Sequence, residues 1–269
     1  MMKFSIILVT RNAGATIQAC LESLASQAYD DFEVVIQDGM STDDTRSIIE
    51  AFRDRHRRLE IRFQQVPDGG VYEAMNMALD LARGDWVLFL GSDDRLFAAD
   101  TLSGLSGALT DEDDVVYGNV VSPRFNGRYG GRFSTARIGK DNICHQAIVF
   151  RRQLFETLGK FDVRFRLLAD WEHNMRWFLS PNVRARYIDT VIAHYADGGL
   201  SSSGNDLIFE REKRQLYIRH GRHSLPFRIK LRLLREEIRE AIATRDWSRL
   251  IGALRLWPAV VARTSPIAR

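Results

Sequence analysis

Gly84-Asp85-Trp86-Val87-Leu88-Phe89-Leu90-Gly91-Ser92-Asp93-Asp94 is the stretch on which the fold turns. Residues 86–90 form an unbroken apolar run with glycine near each end. Such a run reads as a strand covered on both faces, as in the middle of a parallel sheet. Two adjacent carboxylates follow it directly. Ligands of open α/β sheets bind beyond the carboxyl ends of the strands. Acidic oxygens held there on a short turn suit a hard divalent cation such as Mg²⁺ or Mn²⁺. The competing reading is local: Ser92, Asp93 or Asp94 caps a helix that begins near Leu96.

The residues before this stretch repeat one unit. Phe4–Val9 is a buried strand, and Ile17, Cys20, Leu21 and Leu24 then recur at helical spacing. Phe32–Ile36 is a second strand, ending in Gln37-Asp38-Gly39. Ser41-Thr42-Asp43-Asp44 starts a helix with Ile48, Ile49 and Phe52 on one face. Leu59–Phe63 is a third strand. After Pro67-Asp68-Gly69-Gly70 comes a helix with Met75, Ala78, Leu79 and Ala82 on one face. Alternation of strand and helix predicts a parallel, doubly wound layer. The first turn, Arg11-Asn12-Ala13-Gly14-Ala15-Thr16, has a single glycine, so neither a dinucleotide fingerprint nor a Walker loop is present. A nucleotide bound here is held by side chains. Asp38, at a strand end beside Gly39, fits a nucleobase N–H or a ribose hydroxyl, although an Asp-Gly pair also makes a simple turn.

Whole-chain properties bound the class. The chain has 269 residues, 45% of them hydrophobic, which suits one large α/β domain with an appendage. A formal charge of +3 allows an anionic partner without demanding one. Cys20 and Cys144 make no disulfide framework and fit a reducing compartment. No secretory leader and no apolar run of the ~20 residues needed to span a bilayer is visible. The expected location is cytoplasmic, with peripheral contact at the inner face of the membrane.

Four ordered motifs, Val9-Thr10-Arg11-Asn12, Asp38-Gly39-Met40-Ser41-Thr42-Asp43, Pro67-Asp68-Gly69-Gly70-Val71-Tyr72-Glu73-Ala74-Met75-Asn76 and Gly84–Asp94, together resemble family 2 glycosyltransferases. The similarity is greatest to bacterial enzymes that build lipopolysaccharide or exopolysaccharide units, and it covers roughly residues 3 to 202. It implies an α/β fold of the GT-A (Rossmann-like) nucleotide-diphospho-sugar transferase type with a C-terminal helical extension. Residues 1–204 would be the catalytic domain, with a nucleotide-binding half (1–95) and an acceptor half (96–204). Residues 205–269 would be the extension. The resemblance assigns Thr10, Arg11, Asn12, Asp38, Asp68, Asn76 and Asp93 to a nucleotide-diphosphate sugar donor, with a UDP-sugar favoured. It assigns Asp93, Asp94 and His194 to a divalent metal, Mn²⁺ or Mg²⁺. Gly91 stands where the family's Asp-x-Asp often has its first Asp, which leaves open which of Asp93 and Asp94 ligates.

Farther along, Leu102–Leu109 continues as a helix and Val115–Val121 as a strand, and Asn126-Gly127 signals a hairpin. Residues 134–142 read as a loop over the site. Cys144 and His145 precede a strand over 147–150 and would point to opposite faces of an extended chain, which argues against a Cys–His nucleophile. Asp170 opens a helix whose Trp171, Met175 and Phe178 face inward. Read locally it is a helix cap, with Glu172 in the favourable first turn. The family resemblance makes it the general base of an inverting transfer, which takes the proton from an attacking acceptor hydroxyl. His145 and Trp171 would lie on the side of a glycan or lipid-linked acceptor. Residues 183–187 and 191–195 read as two short strands, followed by Asp197-Gly198-Gly199-Leu200-Ser201.

From Asn205 the pattern changes to basic residues interleaved with Leu, Ile, Phe and Trp. Arg228, Lys230 and Arg232 stand on one side of this reading, and Trp247, Leu254 and Trp257 on the other. Helices of this kind either pack on the domain with solvated charges or lie in the plane of an anionic membrane. No nucleic-acid partner is expected. The competing functions are a nucleotidyltransferase, and a basic membrane- or RNA-associated module with a degenerate catalytic layer.

Overall fold

In the computed structural model, which describes residues 2–197 and 204–264, the apolar run becomes strand β4 (Trp86–Gly91) at the middle of a sheet. Strands β1 (Phe4–Thr10), β2 (Phe32–Asp38) and β3 (Glu60–Gln65) lie beside it in parallel, in the order β3-β2-β1-β4. The connecting helices are α1 (Ile17–Ala25), α2 (Thr45–Arg55) and α3 (Val71–Leu81). Trp86, Val87, Leu88, Phe89 and Leu90 are at most 1% exposed, as an all-apolar strand requires. Val87 and Phe89 join one apolar cluster; Trp86, Leu88 and Leu90 join the other, on the opposite face. Registers Thr10↔Asp38 and Val9↔Gly91 bring three polar strand ends to one edge.

Beyond β4 the helix predicted near Leu96 does not form. Arg95–Leu96 is instead a short strand, β5, and the next helix is α4 (Thr101–Ala108). The sheet continues through β6 (Val115–Ser122), with β7 (Gly127–Tyr129) folded back on it after Asn126 at φ 52°. The predicted loop over 134–142 contains a short helix, α5 (Thr135–Ile138), held by the Ser134 hydroxyl on the Arg137 N–H. Strand β8 (Ile148–Arg151) follows a 3-10 turn over 145–147, so His145 lies in a turn and not in an extended chain. Helices α6 (Leu154–Leu158) and α7 (Ala169–Phe178) come next. The two strands expected over 183–195 are one, β9 (Ala185–His194), irregular where it pairs with Tyr117–Val120. Its antiparallel pairing with β5 sets His194 opposite Arg95. The full order is β3-β2-β1-β4-β8-β6-β9-β5.

Four helices close the described chain: α8 (Leu207–His220), α9 (Phe227–Ala243), α10 (Trp247–Leu254) and α11 (Trp257–Val261). Phe209 and Leu216 of α8 enter the core that lies on α7, while Ile218 joins Leu234, Ala253, Leu256 and Val260 in a small core of its own. Lys230 belongs to no basic outer face. It is buried, and its Nζ donates to the carbonyls of Arg222 and Ala262 at 2.6 and 2.8 Å. None of the described helices is long and apolar enough to cross a membrane.

Candidate active site

The two carboxylates after β4 have different environments. Asp94 is 1% exposed, and its side chain is taken up by the fold. Its Oδ2 accepts from the Gly91 N–H (3.0 Å) and Gln146 Nε2 (2.7 Å), and its Oδ1 from the Ala196 N–H (2.8 Å). Burial raises its pKa above the ordinary value, and the Asp93 charge adds to this against the opposing hydrogen bonds from Ala196 and Gln146. The Asp93 carboxylate has no hydrogen-bond partner among the described residues. It faces a cleft of about 540 Å³ together with Arg95, His194, Tyr195 and Asp197. A Cβ on residue 91 would stand 2.6 Å from Asp94 Oδ2 and 2.7 Å from Asp93 Oδ1. Glycine there is what lets both carboxylates fold over the strand end.

Asp170 lies in the first turn of α7, 7% exposed. Oδ1 accepts from the Tyr72 hydroxyl and from the Trp171 N–H, both at 2.8 Å. Oδ2 accepts from Asn142 Nδ2 at 2.9 Å and lies 3.3 Å from His145 Nδ1. Each oxygen thus has one donor from a distant part of the chain, Tyr72 on Oδ1 and Asn142 on Oδ2, and Oδ2 also lies beside an imidazole. The next residue along, Gln146, is the donor that holds Asp94. His145-Gln146 therefore stitches Asp170 to the acidic turn. Neighbouring Cys144 contributes no nucleophile, because burial, helped by the Asp170 charge, pushes its thiol up to about 12.

Along the parallel strands the polar ends also meet. Thr10 Oγ1 is buried with no hydrogen-bond partner among the described residues. Asp38, its register neighbour, is fully buried and accepts from Ser41 N–H, Ser41 Oγ and Gln65 Nε2 at 2.5–2.8 Å. A Cβ on Gly39 would come within 2.6 Å of Asp68 Oδ2, which brings Asp68 against this edge. Burial raises the Asp68 pKa; the Gly70 N–H and the Arg11 charge oppose the shift. Asn12, at φ 53°, holds the Thr42 N–H with its Oδ1 at 2.9 Å and so ties the first turn to the second.

Two of the expected residues lie elsewhere. Asn76 uses both ends of its amide on the backbone of Phe161, at 2.9 and 3.0 Å. Trp171 packs on Phe209, donates from Nε1 to the Ile138 carbonyl, and carries Lys213 Nζ 3.5 Å above its ring. Tyr72, Asn142 and Gln146 are the residues that local reading passed over. Their side chains meet Asp170 or Asp94 across 98, 28 and 52 positions of chain. The Gly198–Ser201 stretch lies outside the described residues.

Among the described residues no group of three or more His, Cys, Asp or Glu side chains is arranged to hold a metal ion. That donor set does not make an all-protein cage. It does fit a cation of the Mg²⁺ type, which takes one or two carboxylates and completes its shell with water and substrate phosphates. Asp93, whose carboxylate has no hydrogen-bond partner among the described residues, is the group that could serve such a cation, and His194 shares its cleft.

A family model described as glycosyl transferase family 2 matches residues 5–174. A PGL/p-HBAD biosynthesis glycosyltransferase of Mycobacterium tuberculosis (strain H37Rv) is 46% identical over 205 residues, covering 74% of this chain and 79% of that protein. Glycosyltransferase GlyG of Streptococcus pneumoniae is 26% identical over 181 residues, covering 67% of this chain and 55% of that protein. Among solved structures, S. aureus TarS 1-349 in complex with UDP-GlcNAc superposes with a TM-score of 0.71 at 24% identity, covering 96% of this chain and 82% of that one. The mannosyltransferase PcManGT from Pyrobaculum calidifontis, in complex with GDP-Man and Mn²⁺, gives 0.63 at 23% identity, covering 99% and 77%. At those identities the likeness is one of fold: the GT-A fold with C-terminal helices.

Proposed function

The chain belongs to glycosyl transferase family 2 and is a glycosyltransferase, and from that premise we propose a metal-assisted, inverting transfer. The donor is a nucleotide-diphosphate sugar, and the acceptor is a hydroxyl on a glycan or a lipid-linked glycan. Asp170 is the general base. Its Oδ1 is held by Tyr72 and the Trp171 N–H, and Oδ2, which accepts once from Asn142, receives the acceptor proton on its remaining lone pair. The acceptor oxygen forms its bond to the anomeric carbon as the bond to the diphosphate breaks, and the proton passes to Asp170. Thr10, Arg11, Asp38 and Asp68 form the nucleotide edge, where the unpartnered Thr10 hydroxyl is a ready group for the donor. Asp93, with His194 beside it, would hold the divalent cation. Bound there, such an ion stabilises negative charge on the departing diphosphate.

The observation that carries this reading is the chain of contacts from Asp170 through His145 and Gln146 to Asp94. It links a buried carboxylate to the acidic turn, which supports the two serving one substrate. The nucleotide sugars in the TarS and PcManGT complexes support a diphosphate-linked donor, and Mn²⁺ in the second supports the cation. UDP is the favoured nucleotide. A division near residue 205 into catalytic domain and extension is supported by the separate small core of the last helices, although α8 reaches into both.

The test is release of nucleoside diphosphate from a panel of nucleotide sugars, with and without Mn²⁺, alongside thermal unfolding with the diphosphates alone. One donor class should be turned over, and its diphosphate should raise the Tm only with the cation present, because a ligand of the native state stabilises it. If no diphosphate shifts the Tm and no sugar is cleaved, the reading is wrong.

A further inference from the structure

The last four helices carry two features that the transfer reaction leaves unused. A pocket of about 370 Å³ opens between the end of α8 and α11, with Arg219, Arg222, His223 and Arg255 around it. All three arginines are exposed, and none of their guanidinium groups has a carboxylate partner among the described residues. Other arginines of these helices differ in this respect: Arg211 pairs with Asp246, and Arg214 and Arg249 pair with Glu237 and Glu240. The pocket floor is fixed by buried Lys230, whose ammonium binds the carbonyls of Arg222 and Ala262, both lining residues.

Beside the pocket runs an apolar stripe. Trp247, Ile251, Leu254, Trp257 and Val261 are 49–68% exposed and recur at helical spacing across α10 and α11. The joint between these helices, Arg255–Leu256, keeps right-handed helical angles, so the stripe runs on through it. Between residues 247 and 263 the sequence has three arginines and no acidic residue. Arg255 of the joint and Pro258 of α11 line the pocket beside the stripe.

We propose that this face docks on an anionic lipid bilayer, with a lipid phosphate in the Arg219–Arg222–Arg255 pocket and the Trp247–Val261 stripe among the acyl-chain ends. An in-plane helix with a basic flank and a Trp/Leu face has the expected chemistry. A guanidinium without a carboxylate partner is the group that pairs with a phosphate through a planar fork. Charge complementarity selects an anionic surface over a neutral one. The aromatic and aliphatic stripe selects a bilayer over a dissolved anion, which would leave five large side chains in water.

The experiment is co-sedimentation of the full-length protein with phosphatidylglycerol vesicles, phosphatidylcholine vesicles and a single-stranded RNA, at low and high salt. Binding to phosphatidylglycerol is expected, weakening as salt rises and leaving a residual part that salt does not remove. Arg219→Gln/Arg222→Gln/Arg255→Gln should lower vesicle affinity on the order of a hundredfold, since each basic group near such a surface contributes about fivefold. Trp247→Ser/Trp257→Ser should remove the salt-resistant part and spare the rest. Both variants are compared with wild type by circular dichroism. If the arginine variant is misfolded, Arg222→Gln alone replaces it, and vesicle affinity should fall about fivefold. Failure of the wild type to bind phosphatidylglycerol at low salt overturns the proposal. So does equal binding to phosphatidylcholine, free phosphate removing the salt-resistant part of vesicle binding as well, or preference for the RNA.

Discussion

The carboxyl edge of the sheet and the face of the last helices treat their polar groups in opposite ways. At and beside the sheet edge, Asp38, Asp94 and Asp170 accept hydrogen bonds from donors that the fold itself supplies, and Asp93, without a hydrogen-bond partner among the described residues, stands at the mouth of a cleft. On the last helices, unpaired guanidinium groups stand beside bare apolar side chains. Of the large apolar side chains exposed among the described residues, three precede residue 198 and nine follow residue 204. A site for a small, highly charged ligand needs its groups fixed in advance, because reorganisation during reaction costs rate. A surface that meets an extended partner needs area and charge more than fixed geometry. The contrast is the one expected between the proposed reaction centre and the proposed docking face.

The sharpest way to break the comparison is at Asp170. Asp170→Asn keeps the shape of the side chain and removes the base, so transfer should fall by roughly 10²–10⁴-fold while diphosphate affinity holds. Isothermal titration beside initial rates decides it; affinity that falls as far as the rate would make Asp170 a structural cap.

Asp93 and Asp94 should then part company in stability. Whichever way an amide sits in Asp94→Asn, its NH₂ meets a donor, either Ala196 N–H or the pair Gly91 N–H and Gln146. Urea unfolding should show a loss of about 1–3 kcal/mol, the cost of buried donors left unsatisfied. Asp93→Asn should stay within about 0.5 kcal/mol of wild type, as a side chain without partners does, while losing Mn²⁺-dependent diphosphate binding. Equal destabilisation by the two would erase the distinction drawn here.

Acid should loosen the middle of the molecule through α7. Burial holds the His173 pKa at about 3 against an ordinary 6.5, so the unfolded chain binds that proton first. The stability from keeping His173 neutral is present above about pH 6.5 and is lost as pH falls toward 3. For Glu172, burial alone would raise the pKa, but hydrogen bonds from His220 and Arg176 and their charges outweigh it and hold it at about 2. Its share is present above 4.5 and is lost as pH falls toward 2. Because His220 belongs to α8, lowering the pH also loosens the contact of the last helices with α7. Urea midpoints between pH 7.5 and 4.5 should fall, and His173→Phe should flatten the upper part of that curve.

The smallest effect belongs to the docking face. Trp247→Ser should change unfolding free energy by no more than about 0.5 kcal/mol, as for a surface substitution, since Trp247 is 68% exposed. A larger loss measured in urea would place Trp247 in packing the small core.

Local pattern was enough to read the strand–helix series through β4, the inward face of α7 and the amphipathic last helices, because side-chain periodicity is set by backbone geometry within a few residues. It was also enough to bring Thr10, Asp38 and Asp93 to one edge, since parallel strands align their carboxyl ends. It failed at Leu96, where pairing with β9 won over the start of a helix, and at Lys230, whose basic character pointed outward while two carbonyls drew it in. Only the tertiary structure distinguished Asp93 from Asp94, brought Tyr72, Asn142 and Gln146 onto Asp170 and Asp94, and bound the side chains of Asn76 and Trp171 to the backbone of Phe161 and Ile138. The reason is physical. Whether a carboxylate is free to bind a ligand depends on whether its lone pairs are already taken, and Asn142, Gln146, Tyr72 and Ala196, which take them on Asp170 and Asp94, lie 28 to 102 positions away in the chain.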